Sequence, residues 1–580
     1  MKNLVRLYLD YYRRPKRKIF FFLFVTVLLS SLEVIVMGLL YTFTKHINNE
    51  SINKFIVLFF QFINKYILID ISILIIILLI SFFFFRLITQ TISSWWRSLF
   101  VWDIYTYFST LIINRYLSQK YLFFLKNPSS NLINHINLET RNFSSCINFF
   151  LIFCSEIIIF MFLLLLLLYH ELVITLYLSL FILFGLFIYS LFFRSSLFDV
   201  GKNRIAIQNN LLQFLRDIFD GVKIIKINKV EKYFLHKVRK QIFSFAHIAQ
   251  KQSFLNDIPR IIMDLIFMIF IVLLFISYYL NKDFILEKSA SLILFIFAFV
   301  RIIPSINRIV TNYQNINFYK PTFLSLKKEL SKTFFNKTFS EIKNIIFNKN
   351  IIIKNCSYRH LDQKKYFFHK LNLKINKYDC LGIYGESGAG KSTLIDLLST
   401  LITLSKGHIL IDGYSLKKPI DFLSWQSKIG YVSQSTFILR DSIKNNIAFG
   451  IQNHEIDEKR VLQAIKVASL EKLLNRFNNN INSLIDERGS NLSLGEQQRI
   501  GLARALYKNS ELYIFDEPTS ALDTRTGAEF IEFLARFRKD KTVIIISHNK
   551  DNLKICNKLI EIKLVVSNQG QLNRKILHIK

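Results

Sequence analysis

Glycine and proline are scarce, at 17 and 7 of 580 residues. That excludes a collagen-like repeat and argues against a largely disordered chain. Cysteine is scarcer still. Cys146, Cys154, Cys356, Cys380 and Cys556 include no C-x-x-C pair, so neither a zinc site nor a disulfide framework is signalled, and packing is the simplest use of all five. Acidic residues are few, 41 against 75 Lys and Arg, which leaves a net charge of +34. A cleavable leader is not expected: the first apolar run is too long, and no small-residue cleavage site follows it.

What the chain does have is apolar material. Hydrophobic residues make up 52%, aromatics 15%, and the mean hydropathy is +0.31, more than a water-soluble chain of this size carries. A basic balance fits nucleic acid, an anionic membrane surface or an acidic ligand. Here the basic residues cluster beside apolar runs, so the lipid bilayer is the expected partner and nucleic acid is not.

Six apolar stretches occupy the first half, at about 19–43, 67–91, 146–169, 172–193, 261–280 and 289–310. Each is long enough for a helix crossing a ~30 Å hydrocarbon core. Residues 1–18 hold Lys2, Arg6, Arg13, Arg14, Lys16, Arg17 and Lys18 against Asp10 alone, and 194–254 is also basic. The positive-inside rule then places both termini in the cytoplasm, as expected of a multi-pass membrane protein. The connections 92–145 and 194–260 keep helical apolar spacing with few breakers, so the membrane helices are expected to continue into the cytoplasm. Their tips, near 119–128 and 219–232, would touch whatever lies below. Ile52–Tyr66 reads either as a short helix in the outer interface or as the start of the second span.

Beyond residue 320 the character changes. Short β-rich runs such as Leu381–Tyr384, Leu512–Phe515 and Val543–Ile546 alternate with helical patterns, the signature of an α/β domain with a largely parallel sheet. The expected organisation is a six-helix transmembrane domain over 1–320, a linker over 321–345 and a nucleotide-binding domain over 346–580.

Gly385-Glu386-Ser387-Gly388-Ala389-Gly390-Lys391-Ser392-Thr393 matches the phosphate loop G-x-x-x-x-G-K-[ST]. It follows one apolar run and opens a helical pattern, which is the context the motif needs. The glycines let backbone N–H groups approach phosphate oxygens, and the helix N-terminus favours an anion. Lys391 suits the β/γ-phosphates of ATP, and Ser392 suits Mg²⁺. Downstream, Leu512–Phe515 ends in Asp516 and Glu517. Asp516 suits oxygen ligation of Mg²⁺, and Glu517 suits a general base for the attacking water.

With these motifs the second half resembles the ABC transporter ATPases. Asn491-Leu492-Ser493-Leu494-Gly495-Glu496-Gln497-Gln498-Arg499 resembles their L-S-G-G-Q signature, Gln434 their Q-loop, Ser520–Asp523 their D-loop and His548 their switch histidine. Glu487-Arg488-Gly489 resembles the exporter coupling segment. The resemblance implies that Ser493 and Gly495 of one subunit cover ATP held by a second. It also implies that His548 binds the same phosphate and that Gln434 joins Mg²⁺ to the membrane helices. The chain departs from the family at Leu494 and Glu496, where an acid near phosphates is expected to change the rate. In the family's adenine-stacking slot stands His360, with Tyr358 as the alternative; either ring can stack on a base.

Six spans ahead of one ATPase domain resemble an exporter-type half-transporter, most simply working as a homodimer. A narrower resemblance links the membrane half to the bacterial lipid-linked oligosaccharide flippase of protein N-glycosylation. It rests on Arg301-Ile-Ile-Pro304-Ser305-Ile-Asn307-Arg308, on Ile258-Pro259-Arg260, on Glu33 and on Ser155-Glu156. It implies a polyprenyl-pyrophosphate glycan as substrate, with Arg86, Arg260 and Arg301 holding the pyrophosphate, a task that suits guanidinium. Neutralisation by Glu33, Glu156 or Asp264 is the bland alternative for those arginines. An exporter of peptides or toxins is the rival function, although only residues 1–18 precede the first span and leave no room there for a protease domain. An ATP-gated channel is a third.

Overall fold

The computed structural model describes residues 17–47, 70–170, 172–193, 196–280, 289–331, 345–360, 365–520, 522, 524–566 and 572–578. Two units separate by their internal contacts: Met1–Leu117 with Asn127–Phe334, and Ser118–Lys126 with Phe335–Lys580.

The first unit is helical. Its elements are α1 (Arg17–Ile47), α2 (Ile71–Leu117), α4 (Ser129–Asn134) running through a π turn into α5 (Thr140–His170), α6 (Leu172–Phe193), α7 (Ser196–Asp220), α8 (Val222–Ile227), α9 (Glu231–Leu280) and α10 (Ser289–Ser331). The short α3 (Tyr121–Lys126) groups with the second unit, where Leu122 packs on the core. Among the described residues, five stretches are long and apolar enough to cross a bilayer: Lys18–Ile47, Ile71–Leu117, Ser129–His170, Leu172–Tyr189 and Leu294–Ser331. The remaining expected span, 261–280, closes α9. At 1.5 Å per residue, the 47 residues of α2 reach ~70 Å, far beyond a bilayer core. The long connections are thus helix extensions, as the spacing predicts. The stretch 52–66 lies outside the described residues.

Several hydroxyls in these helices find partners within their own helix, as a medium without water favours. Thr26 and Ser30 donate to the carbonyls of Leu23 and Val27, each at 2.7 Å. Pro259, inside α9, has no N–H for the Leu255 carbonyl one turn back. Gln314 of α10 supplies the missing donor, its Nε2 lying 2.9 Å from that oxygen. Leu29, Leu163, Met263, Phe270, Phe295, Phe299 and Ile302, from α1, α5, α9 and α10, form the buried core. Phe84, Leu180 and Val300 are among the apolar side chains left facing outward.

Residues 321–331, expected as linker, are instead the end of α10. Polar composition and Pro321 suggest a connection. Phe323, Leu326 and Leu330, three and four residues apart, are buried and carry the helix onward.

The second unit holds two sheets. One is antiparallel, in the order β2 (Phe368–Asn376), β1 (Asn350–Tyr358), β4 (Lys406–Ile411), β5 (Tyr414–Ser415). The other has the order β10 (Leu572–His578), β9 (Lys558–Val566), β3 (Cys380–Gly385), β8 (Thr542–Ile546), β7 (Leu512–Asp516), β6 (Ile429–Val432). It is parallel throughout except for the β9–β10 hairpin. β8 is fully buried and purely apolar after its first residue, as a strand covered on both faces must be. Helices α11 (Lys391–Leu398), α12 (Glu471–Arg476), α13 (Leu494–Tyr507) and α14 (Thr524–Phe537) complete the elements used below.

Candidate functional site

The parallel strands β3, β7 and β8 end side by side, and the loops at their carboxyl ends gather the chemistry, the usual place in open α/β sheets. From β3 the chain turns through Gly385 to Gly390 into α11. Gly390 holds φ +111°, a left-handed value that favours glycine. A Cβ on Gly385 would meet the Ile562 carbonyl at 2.7 Å. Glu386, Ser387 and Gly388 are exposed and Ala389 is buried. α11 begins without a side-chain cap, so its first-turn N–H groups remain available to an anion.

Lys391 lies under this loop. Its Nζ donates to the carbonyls of Gly385 (2.8 Å) and Glu386 (3.0 Å) and lies 3.4 Å from His548 Nε2. Burial pushes its pKa down, partly offset by Glu517 and Asp516. Ser392 and Thr393 follow, Ser392 exposed.

Glu517 is the hub. His548 Nε2 lies 2.7 Å from its Oε1, and Gln434 Nε2 donates to its Oε2 at 3.0 Å. Its own φ is +50°, an unusual conformation for a residue with a side chain. The register Asp516↔Ile546 sets His548 beside it. Asp516 accepts from the Tyr431 hydroxyl at 3.0 Å, and burial raises its carboxyl pKa while Tyr431 and Lys391 pull it back. Asp396, one turn into α11, is pushed up to about 6 by burial, with Asp516 as the second cause. Lys391, Gln434, Asp516, Glu517 and His548, expected from motifs alone, therefore meet in one cluster. Its oxygen donors beside a buried ammonium and uncapped amides fit a polyphosphate with Mg²⁺, which Ser392, Asp516 and Gln434 would hold.

Ser493 and Gly495 belong to a second locus. Ser493 caps α13: its Oγ accepts from the Glu496 N–H at 3.2 Å, and Glu496 Oε2 accepts from the Ser493 N–H at 2.8 Å. This reciprocal box is readable as S-x-x-E. A Cβ on Gly495 would meet Leu522 at 2.8 Å, which ties the signature to the D-loop. Asp523 lies outside the described residues. Gln498, on the same helix, donates to the Gln434 carbonyl at 3.2 Å, so α13 also holds the Q-loop. At the expected adenine slot Tyr358 is only 3% exposed, packed in the core. The His360 ring, half-buried, stands edge-on to Tyr358 and Phe367 at 5.0 and 4.9 Å.

Tyr431 was not marked by any motif. The available signal is β6 itself, where Tyr431 is the one exposed residue of four.

In the membrane half, Arg86 and Arg301 converge on Glu33, which is 3% exposed. Arg86 Nη2 lies 3.1 Å and Arg301 Nη2 2.7 Å from Glu33 Oε1. Arg308, two turns below Arg301, pairs with Glu156 at 2.7 Å and is 49% exposed. Arg260 pairs with Asp264 of its own helix at 3.8 Å.

Residues 368–520 match the ABC transporter family. Among curated proteins, an ATP-dependent lipid A-core flippase from Syntrophus aciditrophicus is 33% identical over 213 residues, 37% of this chain and 35% of that protein. The alpha-hemolysin translocation ATP-binding protein HlyB of Escherichia coli O157:H7 is 36% identical over 214 residues, 36% of this chain and 30% of that protein. The chain thus spans about a third of the length of the curated relatives it matches. Among solved structures, a bacterial Atm1-family ABC exporter with ATP bound superposes with a TM-score of 0.74 at 17% identity, over 96% of this chain and 94% of that one.

Proposed function

We propose that this chain, whose second unit is an ABC transporter ATP-binding domain and whose fold is that of an ABC exporter, uses ATP to move an anionic amphipath across the inner membrane. The favoured substrate is a polyprenyl-pyrophosphate-linked oligosaccharide moved from the cytoplasmic to the outer leaflet. The observation that carries the substrate reading is the imbalance of charge in the membrane half. Among the described residues, Arg86 and Arg301 pair with Glu33 and Arg308 pairs with Glu156. Ionised groups at this depth face a cavity or a partner, and a surplus guanidinium suits a pyrophosphate.

On this reading two copies work together. Lys391 and the loop amides bind the phosphates, and Ser493 with Gly495 of the other copy closes over them. His360 stacks on adenine, while Tyr358 supports it from below. Bound Mg²⁺, held by Ser392, Asp516 and Gln434, would neutralise phosphate charge. Glu517 takes the proton of the attacking water, with His548 and Gln434 fixing its carboxylate. The α7–α9 tip bears exposed Phe219, Ile224 and Ile227, an apolar surface that suits docking on the second copy. Both termini and the ATPase unit lie on the cytoplasmic side.

Export of a toxin or peptide is the second reading. It is supported by the HlyB match, which is as high in identity as that of the lipid flippase.

The test is reconstitution in vesicles with a lipid-linked pyrophosphate oligosaccharide on one leaflet. ATP should expose the glycan to an enzyme on the other side, and Arg301→Ala should stop this while leaving basal ATPase activity. Normal flipping by Arg301→Ala removes that residue from the substrate site. No flipping by the native protein removes this substrate.

A further inference from the structure

Glu496 sits in the first turn of α13, where a carboxylate suits the helix dipole. On the function proposed above, the same helix end must also receive the terminal phosphate of ATP, and there an uncompensated acid repels. The structure shows how the two demands coexist. Glu496 Oε2 is folded back onto the Ser493 N–H and also accepts from Arg476 Nη2 at 3.2 Å. The same nitrogen donates to the Asn491 carbonyl at 3.0 Å. Arg476 is the last residue of α12, so its cation lies at a helix C-terminus, which favours it. One guanidinium therefore grips both ends of the stretch Asn491–Glu496. The carboxylate is 22% exposed and the guanidinium 49%. Ser493 is exposed, and because its Oγ accepts from within the cap, its O–H is left to donate outward.

We propose that Arg476 is a positioning residue of the two-copy ATP site. It cancels the charge that Glu496 brings into the signature and keeps that carboxylate turned into the cap. The Ser493 hydroxyl and the first amides of α13 then face the γ-phosphate without a competing anion. The proposal rests on the ATP-site reading above. It explains how a signature carrying an acid remains serviceable: the compensating charge comes from twenty residues upstream, outside the motif.

Charge compensation predicts a pattern that a purely structural tie does not. Steady-state ATPase activity of the purified full-length protein is measured against ATP at fixed Mg²⁺. Arg476→Ala should raise KM by about tenfold, as like-charge juxtaposition implies, with kcat within about twofold. Glu496→Gln keeps the cap, because the amide oxygen still accepts from Ser493, and removes the charge; alone it should lower KM. Arg476→Ala/Glu496→Gln should return KM to within about threefold of the native value. A double variant as weak as Arg476→Ala, or a Glu496→Gln that raises KM, overturns the proposal. The second of these decides the matter even where Arg476→Ala does not fold. Lys391→Ala serves as the reference: if it hydrolyses ATP at the native rate, the ATP-site reading falls and this proposal falls with it. Should Lys391→Ala be inactive and the KM pattern fail, only the Arg476 assignment is lost.

Discussion

In the ATPase unit, charged groups meet where adjacent strands of one sheet end. In the membrane half, they meet between helices that come from distant parts of the chain. The first arrangement is fixed by backbone register. Asp516 stands opposite Ile546, and Tyr431 opposite Ile514 on the next strand, so His548, Glu517 and Tyr431 have little freedom to separate. The second depends on helix rotation and tilt. Glu33 of α1 holds Arg86 of α2 and Arg301 of α10, and any relative movement of those helices must break it. A sheet thus preorganises chemistry, whereas a helix bundle holds its charges conditionally, which suits the transport role proposed above.

The largest effect is expected at the hub of the sheet. Glu517→Gln retains the shape and the bond from Gln434 but loses the base. Hydrolysis should fall by about a hundredfold or more, while nucleotide still binds and accumulates uncleaved. A filter-binding assay beside a phosphate-release assay separates the two steps. Near-native turnover would remove Glu517 from the role of base and with it the idea that register fixes the chemistry.

Next in size is the hub of the helices. Glu33→Ala leaves two guanidiniums facing each other without their carboxylate. Removing one partner of a buried ion pair costs about 3–5 kcal/mol, and here the expected loss is at the low end because both arginines keep some exposure. Thermal unfolding in detergent should show the change, with ATP binding at Lys391 retained below the transition. An unchanged unfolding curve would mean that Glu33 does not bind these helices together.

Tyr431→Phe sharpens the comparison from the other side, because it removes one oxygen and leaves the strand intact. The carboxylate of Asp516 loses the phenolic donor of Tyr431. On the proposal that Asp516 holds Mg²⁺, losing a hydrogen bond that orients a metal-holding carboxylate weakens the site by about tenfold or more, so the Mg²⁺ concentration that half-saturates ATPase activity should rise by about that factor. A Mg²⁺ requirement identical to the native one would show that Asp516 is oriented without Tyr431.

The same contrast governs what could be read from the residues. Lys391 in the phosphate loop and Asp516 and Glu517 at a strand end were legible from spacing, because a short motif fixes local geometry, whereas Gln434 and His548 came only from the resemblance to the ABC transporter ATPases. Contacts that cross elements were silent. Tyr431 reaches Asp516 only through the β6–β7 register, and Arg476 reaches Glu496 across twenty residues. The six apolar stretches announced membrane helices, but which arginine meets which acid follows from helix rotation, and no spacing encodes that. Arg260, placed with Arg86 and Arg301 as a candidate for the pyrophosphate, pairs with Asp264 one turn along its own helix, the one neutralisation that sequence spacing does offer. The expected linker gave way to the end of α10, which continues past Pro321 because Phe323, Leu326 and Leu330 are buried.

The smallest effect concerns Asp396, an acid held partly buried near Asp516. Burial, with Asp516 nearby, raises its carboxyl to about 6, against an ordinary value near 3.9. The folded protein therefore binds a proton more tightly than the unfolded chain does. Stability falls as pH rises through the interval from about 4 to about 6 and stays reduced above it. Two units correspond to about 3 kcal/mol, and the partial exposure of Asp396 brings the expectation nearer to about 2. Asp396→Asn should accordingly stabilise the Mg²⁺-free protein at pH 8 by that amount and make no difference near pH 4. Unfolding curves at the two pH values measure it. A stabilisation equal at both would show that the gain comes from packing of the amide, and a loss at pH 8 would mean that the ionised carboxylate has a cation that holds it in place.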